Sequence, residues 1–283
     1  MTEQTLYVTD LDGTLLDRNS RVSPFSIRTI NALVDQGMNF TYATARSLVS
    51  ASKVTEGLST KIPVIAYNGA FIFQPSTGEI LCREDFTQEE RRHAVQILDR
   101  YGVSPLVYSF IGGAESVSWI PAYENDGVRR YLSKRKGDRR FRAAQDADAL
   151  YAGEMFYFTC IGEREELQPV YDAFSGDSRY RCTLQQELYC SEYWLEIMPA
   201  AASKYKAIQK LKEMRHCERV ISFGDSINDL PMFEISDESY AVANAVEECK
   251  AAATGIIGSN NEDGVAKWLL QKMTEGQSPC HKR

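Results

Sequence analysis

Short apolar runs recur at both ends of this chain, and each leads into a stretch with helical spacing. Leu6-Tyr7-Val8-Thr9 is the first such run. Ser23-Pro24 then opens a helix through Ile27, Ile30, Leu33 and Val34, with Ser23 placed to cap it and Pro24 suited to the first helical position. Gly37 stops that helix. Asn39 to Ala43 reads as the next strand, Ser47 to Glu56 as the next helix, and Pro63 to Tyr67 as a third strand. The alternation predicts a parallel sheet with helices on its faces, an α/β fold.

The pattern breaks in the middle of the chain. From about Arg83 to about Ile197 there are more strand candidates per helix: Leu106 to Tyr108, Met155 to Ile161, Arg179 to Leu184 and Trp194 to Ile197. Helices are expected over Glu89 to Tyr101, Glu124 to Ser133 and Glu163 to Phe174. Residues 83–197 therefore read as an α+β domain inserted into a first domain made of residues 1–82 and 198–283. The last part returns to alternation, with helices over Lys204 to Met214, Leu230 to Ile235, Val246 to Ala253 and Gly264 to Lys272. Between them lie strands at Val220 to Phe223 and Tyr240 to Val242. The terminal TEGQSPCHKR reads as a frayed tail.

Composition narrows the class. With 43% hydrophobic and 25% charged residues, the 283-residue chain is ordinary globular material for one large or two smaller domains. A formal net charge of −7 disfavours a nucleic-acid binder, which needs surplus Lys and Arg to neutralise phosphates. The seven cysteines (Cys82, Cys160, Cys182, Cys190, Cys217, Cys249, Cys280) form no C-x-x-C pair and read as thiols in a reducing cytosol. The histidines, His93, His216 and His281, do not cluster, which argues against zinc; His93 reads as a solvated or boundary helix residue. No basic segment followed by an apolar one opens the chain, and no apolar run is long enough to span a bilayer. A cytoplasmic protein without a membrane partner is expected.

The chemistry sits where strands end. Asp10-Leu11-Asp12-Gly13-Thr14-Leu15-Leu16 follows directly on the first apolar run. In an open parallel sheet ligands bind beyond the carboxyl ends of the strands, so two carboxylates two residues apart can converge on one ligand there. An Asp-Gly turn is the plainer alternative. Ser222 to Asp229, which carries Gly224-Asp225-Ser226-Ile227-Asn228-Asp229, also follows an apolar strand and precedes a helix. A helix cap would explain one of its acidic residues but not both. Bringing Asp225 and Asp229 beside Asp10 and Asp12 costs roughly 4 kcal/mol per close pair, at about 4 Å and an effective dielectric near 20. Such a cluster needs a divalent cation, and all-oxygen ligands favour magnesium over zinc. Thr44, at the end of the second strand, offers a hydroxyl to a phosphate oxygen, and Lys204, at a helix start, offers the cation that a phosphoryl group beside carboxylates requires.

Taken in order, these segments resemble the haloacid dehalogenase superfamily, and within it the Cof-like phosphatases with the large C2-type α/β cap. DLDGTLL resembles the first motif, Thr44-Ala45-Arg46 the second, Ser203-Lys204-Tyr205-Lys206 the third and GDSINDLPMF the fourth. Asn68-Gly69-Ala70, Asn244-Ala245 and Glu262 to Ala266 resemble further family segments. Ala45, Ala243 and Ile227 depart from residues usual at their positions. The resemblance implies a Rossmann-like parallel-sheet core, an inserted α+β cap acting as a lid, and a magnesium-dependent phosphatase of small phosphorylated metabolites such as sugar phosphates. It implies that Asp10 is the nucleophile forming an aspartyl-phosphate, and Asp12 the general acid and base. It further implies that Asp10, the backbone carbonyl of Asp12, and Asp225 hold Mg2+, with Asp229 among the metal-site carboxylates and orienting a metal-bound water or Lys204. Thr44, Arg46, Asn68, Gly69, Lys204 and Asn228 are implied at the phosphoryl and substrate site. A phosphomutase of the same superfamily and a non-catalytic sensor of phosphorylated metabolites are the competing readings. The cap also holds a basic stretch (Arg129, Arg130, Lys134, Arg135, Lys136, Arg139, Arg140, Arg142) and aromatics (Tyr108, Trp119, Tyr123, Tyr131) as candidates to steer and line a substrate.

Overall fold

The computed structural model describes residues 4–59, 61, 63–186 and 191–276; of the tail expected to fray from Thr274, residues 274–276 belong to the final helix and 277–283 lie outside the described residues, as do Cys190, Cys280 and His281. The chain divides into two compact units, one of Met1–Arg83 with Ser203–Arg283 and one of Glu84–Ala202. The first unit opens with β1 (Thr5–Thr9), α1 (Pro24–Asp35), β2 (Asn39–Tyr42), α2 (Leu48–Val54), β3 (Val64–Ala66), β4 (Phe71–Gln74) and β5 (Glu79–Arg83). The second holds α3 (Gln88–Tyr101), β6 (Leu106–Ile111), β7 (Ala114–Trp119), α4 (Asp126–Ser133), β8 (Phe141–Ala143), α5 (Ala147–Leu150), β9 (Glu154–Gly162), α6 (Arg164–Ser175), β10 (Tyr180–Gln186) and β11 (Tyr193–Pro199). The first unit resumes with α7 (Lys204–Met214), β12 (Arg219–Gly224), α8 (Leu230–Glu234), β13 (Glu238–Val242), α9 (Glu247–Ala252), β14 (Gly255–Ile257) and α10 (Gly264–Gly276).

The first unit is built on a parallel sheet of order β14-β13-β12-β1-β2. A parallel bridge between Ala43 and Ile65 continues it to β3, which turns into the antiparallel β3-β4-β5 ribbon. From β1 the chain winds outward through β2 and β3, and after the second unit it re-enters beside β1 at β12 and winds the other way. The order therefore reverses between β1 and β12, the place where open α/β sheets bind ligands. Thr9 pairs with both Phe223 and Tyr42, so the strands on either side of β1 end level with it.

Local signals explain the helices. The Ser23 hydroxyl accepts from the Ser26 amide at 3.0 Å and caps α1. Gly37, at φ +98°, follows the helix end. One continuous core gathers Leu6 and Val8 of β1, Val220 and Phe223 of β12, Ile30 and Leu33 of α1, Ile208 and Leu211 of α7, and Val265 and Leu269 of α10. The expected elements appear with ends moved by a few residues, as helix and strand ends fray. The final helix runs on to Gly276. The β4–β5 ribbon, β7, β8 and β14 were not expected: β8 and β14 are three residues each, too short to show a periodicity, and the ribbon is joined by a turn containing Gly78 at φ +76°.

The second unit is α+β. Its six-stranded sheet has the order β10-β11-β9-β6-β7-β8, antiparallel except for β7 with β8. Ala94, Ile97 and Leu98 of α3 and Leu167, Val170 and Phe174 of α6 pack with Val107, Phe158, Leu195 and Ile197 of the sheet. Thr87 and Glu90 form a reciprocal cap at the start of α3. Among the described residues no helix is long and apolar enough to cross a membrane.

Phe223 is fully buried at the end of β12, with the rings of Trp268 and Tyr240 at 5.2 and 5.9 Å. Phe223→Ala is expected to remove about 3–5 kcal/mol of stability, because the ring's contacts are lost and the cavity refills only in part. Urea unfolding of the full chain measures it; a loss under about 1 kcal/mol would show that the core around β12 is not packed as described.

Candidate active site

Strand ends deliver the reactive groups. The Asp10 amide donates to the Phe223 carbonyl at 2.9 Å, which carries β1 pairing one residue beyond the strand and sets Asp10 at its lip. The next five residues form a wide turn closed by the Leu16 amide on the Leu11 carbonyl at 2.8 Å. Gly13 at φ +82° makes that turn possible, and a Cβ there would sit 2.4 Å from Asp225 Oδ2. Thr14 Oγ1 donates to Asp225 Oδ1 at 2.8 Å from the same turn.

Lys204 starts α7 and is buried, with only 4% of its surface exposed. Its Nζ donates to Asp10 Oδ1 at 2.6 Å and to Asp229 Oδ1 at 2.9 Å. Asp229, fully buried, uses its other oxygen to accept from the amides of Asp225 and Ser226 at 3.1 and 3.3 Å. Both its oxygens are thus engaged in fixing Lys204 and the turn that presents Asp225. Asp10, Asp225 and Asp229 each offer a carboxylate oxygen, and these oxygens lie within 4.8 Å of one another.

The electrostatics follow from this crowding. Burial pushes Asp10 well above the usual carboxylate range, Asp229 and Asp225 push further in the same direction, and Lys204 pulls against them. Burial pushes Asp225 up to about 6, with Asp229 adding and the Thr14 hydrogen bond opposing. For Lys204 burial alone would favour the neutral amine, but Asp10 and Asp229 outweigh it and hold the ammonium above its ordinary pKa. One ammonium does not neutralise three carboxylates. The donors are all oxygen and they converge, and burial and crowding hold Asp10 and Asp225 above the usual carboxylate range; a hard divalent cation fits this set.

The other expected site residues fall around this cluster. The Asp12 carboxylate is exposed and lies apart from the three; Arg46 grips it through Nε and Nη2 at 2.7 and 2.6 Å. Thr44, at 1% exposure, accepts the Arg46 amide on its hydroxyl at 3.1 Å. The Asn68 amide donates to the Thr44 carbonyl at 2.9 Å and the Tyr67 amide to the Arg46 carbonyl at 3.0 Å, tying the second and third strand ends together. Gly69 meets the start of α7 so closely that a Cβ would lie 2.2 Å from the Ser203 carbonyl carbon. Asn228 is exposed on the turn between Asp225 and Asp229. Two residues in this region carried no role from sequence, Thr14 and Asn244. The Asn244 Nδ2 donates to the Gly13 carbonyl at 2.8 Å and its Oδ1 accepts from the Asn260 amide at 2.9 Å. Both lay inside motif-like segments, but nothing in the sequence says which partner they meet.

The pattern of the haloacid dehalogenase-like hydrolase family matches residues 7–269 of this chain. The 5-amino-6-(5-phospho-D-ribitylamino)uracil phosphatases YwtE and YitU of Bacillus subtilis are 28% and 25% identical to it, over 95% of this chain and 97% and 98% of theirs. Among solved structures, TM0651 from Thermotoga maritima superposes with a TM-score of 0.76 at 25% identity, over 95% of this chain and 97% of that one. A haloacid dehalogenase-like hydrolase from Bacteroides thetaiotaomicron gives 0.76 at 22% identity, over 95% and 100%.

Gly69→Ala tests the close approach that seats Lys204. A side chain there is strained by φ +99° and collides with backbone, which has no rotamer to yield. The expected cost is about 2 kcal/mol or more, read as a fall in the thermal midpoint; Gly37→Ala, which meets nothing within 4 Å, is the matched control for positive φ alone. Equal losses in the two variants would contradict the packing of Gly69 on Ser203.

Proposed function

The chain belongs to the haloacid dehalogenase-like hydrolases, and from that footing we propose that it is a magnesium-dependent phosphatase that moves the phosphoryl group of a small metabolite first to Asp10 and then to water. One observation carries the reading: Lys204 Nζ lies 2.6 Å from Asp10 and 2.9 Å from Asp229 in a buried cluster with Asp225, at the carboxyl end of a parallel sheet. That is a site with an acidic group to attack, a fixed cation to receive phosphoryl oxygens, and an excess of negative charge.

Asp10 is assigned as the nucleophile, attacking phosphorus in line to give the aspartyl-phosphate. Asp12 protonates the leaving oxygen and then takes a proton from the attacking water. Arg46 holds both Asp12 oxygens, at 2.7 and 2.6 Å, so that pair opens for Asp12 to reach the leaving oxygen. Lys204 and Asn228 receive phosphoryl oxygens, and the Thr44 hydroxyl, whose oxygen already accepts the Arg46 amide, keeps its proton to donate to one. Asn68, Gly69 and Arg46 hold the strand ends that position these groups. Magnesium, held by Asp10, the Asp12 carbonyl and Asp225, supplies the positive charge that balances phosphoryl oxygens beside carboxylates. Asp229 acts by fixing Lys204.

The phosphatase names of the Bacillus relatives support hydrolysis over isomerisation, and the polyol phosphate in those names is the kind of substrate proposed: a small phosphorylated metabolite, a sugar phosphate or similar. All groups assigned to the phosphoryl group belong to the first unit, so recognition of the rest of the substrate is assigned to residues 84–202. The five described cysteines form no disulfide among the described residues, in keeping with the cytoplasm as the proposed location.

A screen of phosphorylated metabolites with magnesium tests the reading by inorganic phosphate release. Asp10→Asn is expected to lower turnover by about 10³-fold or more with the fold intact; activity near that of the parent protein would remove Asp10 as nucleophile. Activity is expected to vanish in excess chelator, and Asp225→Ala to raise the magnesium concentration for half-maximal activity about tenfold or more. Full turnover in chelator would sink the metal assignment.

A further inference from the structure

The basic stretch between Arg129 and Arg142 takes no part in the reaction proposed above, and its members have different surroundings. Arg129 pairs with Asp126 at the surface. Arg140 is largely buried between Asp138 and Glu115, 2.6 Å from each, and the Arg142 Nη1 donates to the Ala149 carbonyl at 2.8 Å. Arg130, Lys134 and Arg135 instead converge with Tyr131, Trp194 and Glu192 on a pocket of about 90 Å³ inside the second unit. We propose that this pocket binds a compact oxyanion, a phosphate or carboxylate group.

Charge points that way first. Arg130 is ion-paired with Glu192, which cancels one positive charge against the one carboxylate in the lining. The Lys134 ammonium has no hydrogen bond or ion pair among the described residues, and the residue is exposed. Arg135 donates to the Tyr131 carbonyl at 3.2 Å and lies 3.7 Å over the Tyr131 ring, yet no carboxylate of the described residues pairs with it. The pocket therefore carries two positive charges without counter-charge. The end of α4 at Ser133 accounts in part for cations being tolerated here, since the helix dipole favours them. It does not account for a guanidinium stacked in place at the wall of a concavity.

Shape and rigidity point the same way. The volume corresponds to about three waters at about 30 Å³ each, room for one anionic group and not for a whole metabolite. Gly127 lets α4 lie close against β9: a Cβ there would be 2.5 Å from the Ile161 Cγ2. The Tyr131 hydroxyl is hydrogen-bonded to that of Tyr108 at 2.7 Å, and its ring meets those of Trp194 and Phe141 edge-on at 5.3 and 6.0 Å. The wall that carries Arg135 is therefore held before any ligand arrives, which lowers the ordering cost of binding.

The test titrates inorganic phosphate into the 283-residue chain without magnesium, followed by calorimetry and by tryptophan fluorescence, to which Trp194 contributes. Saturable binding is expected, weakened about tenfold or more by Lys134→Gln and by Arg135→Gln, each removing one charge-assisted contact, and kept in Lys204→Met. Lys134 is exposed, so its variant is read without concern for the fold. Absence of saturation well into the millimolar range, or equal affinity in the parent protein and both glutamine variants, overturns the proposal. Binding that is lost in Lys204→Met also overturns it, by placing the anion at the carboxylate cluster. The source of the anion is read separately, from turnover of p-nitrophenyl phosphate and of a sugar bisphosphate. If the pocket takes a remote group of the substrate, Lys134→Gln lowers kcat/KM about tenfold for the bisphosphate alone; if it takes a free anion, the ratio of the two is unchanged while phosphate affinity falls. Because binding is measured without turnover, an inactive protein would count against the phosphatase reading and not against this site.

Discussion

Lys204 is a buried ammonium held between two carboxylates, and most of the first unit's architecture serves to keep it there. A charge taken out of water costs several kcal/mol unless it is paired and hydrogen-bonded. Lys204 meets that condition through Asp10 just after β1 and Asp229 after β12, groups far apart in sequence. Gly69 lets the backbone before Lys204 come close to the third strand's end. The Ser203 hydroxyl accepts the Lys206 amide and so starts the helix that carries the side chain inward. Removing any of these would leave a buried charge short of a partner.

The same arrangement explains why the cluster calls for a further cation. Lys204 brings one positive charge to three carboxylates, and Asp225, at about 6, and Asp10, above the usual range, show the remaining crowding. Thr14 binds the turn after β1 to Asp225 in the turn after β12, and Asn244, just after β13, donates to the Gly13 carbonyl of the same β1 turn. Three strand ends are thereby joined into one rim, which is the geometry that oxygen ligation of a hard cation requires.

The second unit shows how little a charge run says by itself. Eight basic residues lie between Arg129 and Arg142, and the structure gives them unlike tasks: a surface pair at Arg129, buried bracing at Arg140, a lined pocket at Arg130, Lys134 and Arg135. The aromatics divide in the same manner. Tyr131 stands in the pocket wall and Tyr108 backs it, while the Trp119 indole donates to Glu124 and Tyr123 is 66% exposed. Which of these tasks a side chain takes depends on neighbours contributed by other strands.

Sequence by itself determined the α/β alternation, the α+β character of the middle and the family, because these rest on local signals. Short apolar strands, the Ser23-Pro24 cap, and acidic motifs placed directly after strands are all read within a few residues. It did not show the short strands β8 and β14, which are below any periodicity, nor the β4–β5 ribbon. Tertiary structure alone decided that Asp12 pairs with Arg46 while Asp10 and Asp229 share Lys204, with Asp225 beside them. It alone placed Thr14 on Asp225 and Asn244 on Gly13. The physical reason is that a motif specifies which groups stand at a strand's end, whereas their partners and pKa values are set by which other strand ends the sheet order brings beside them.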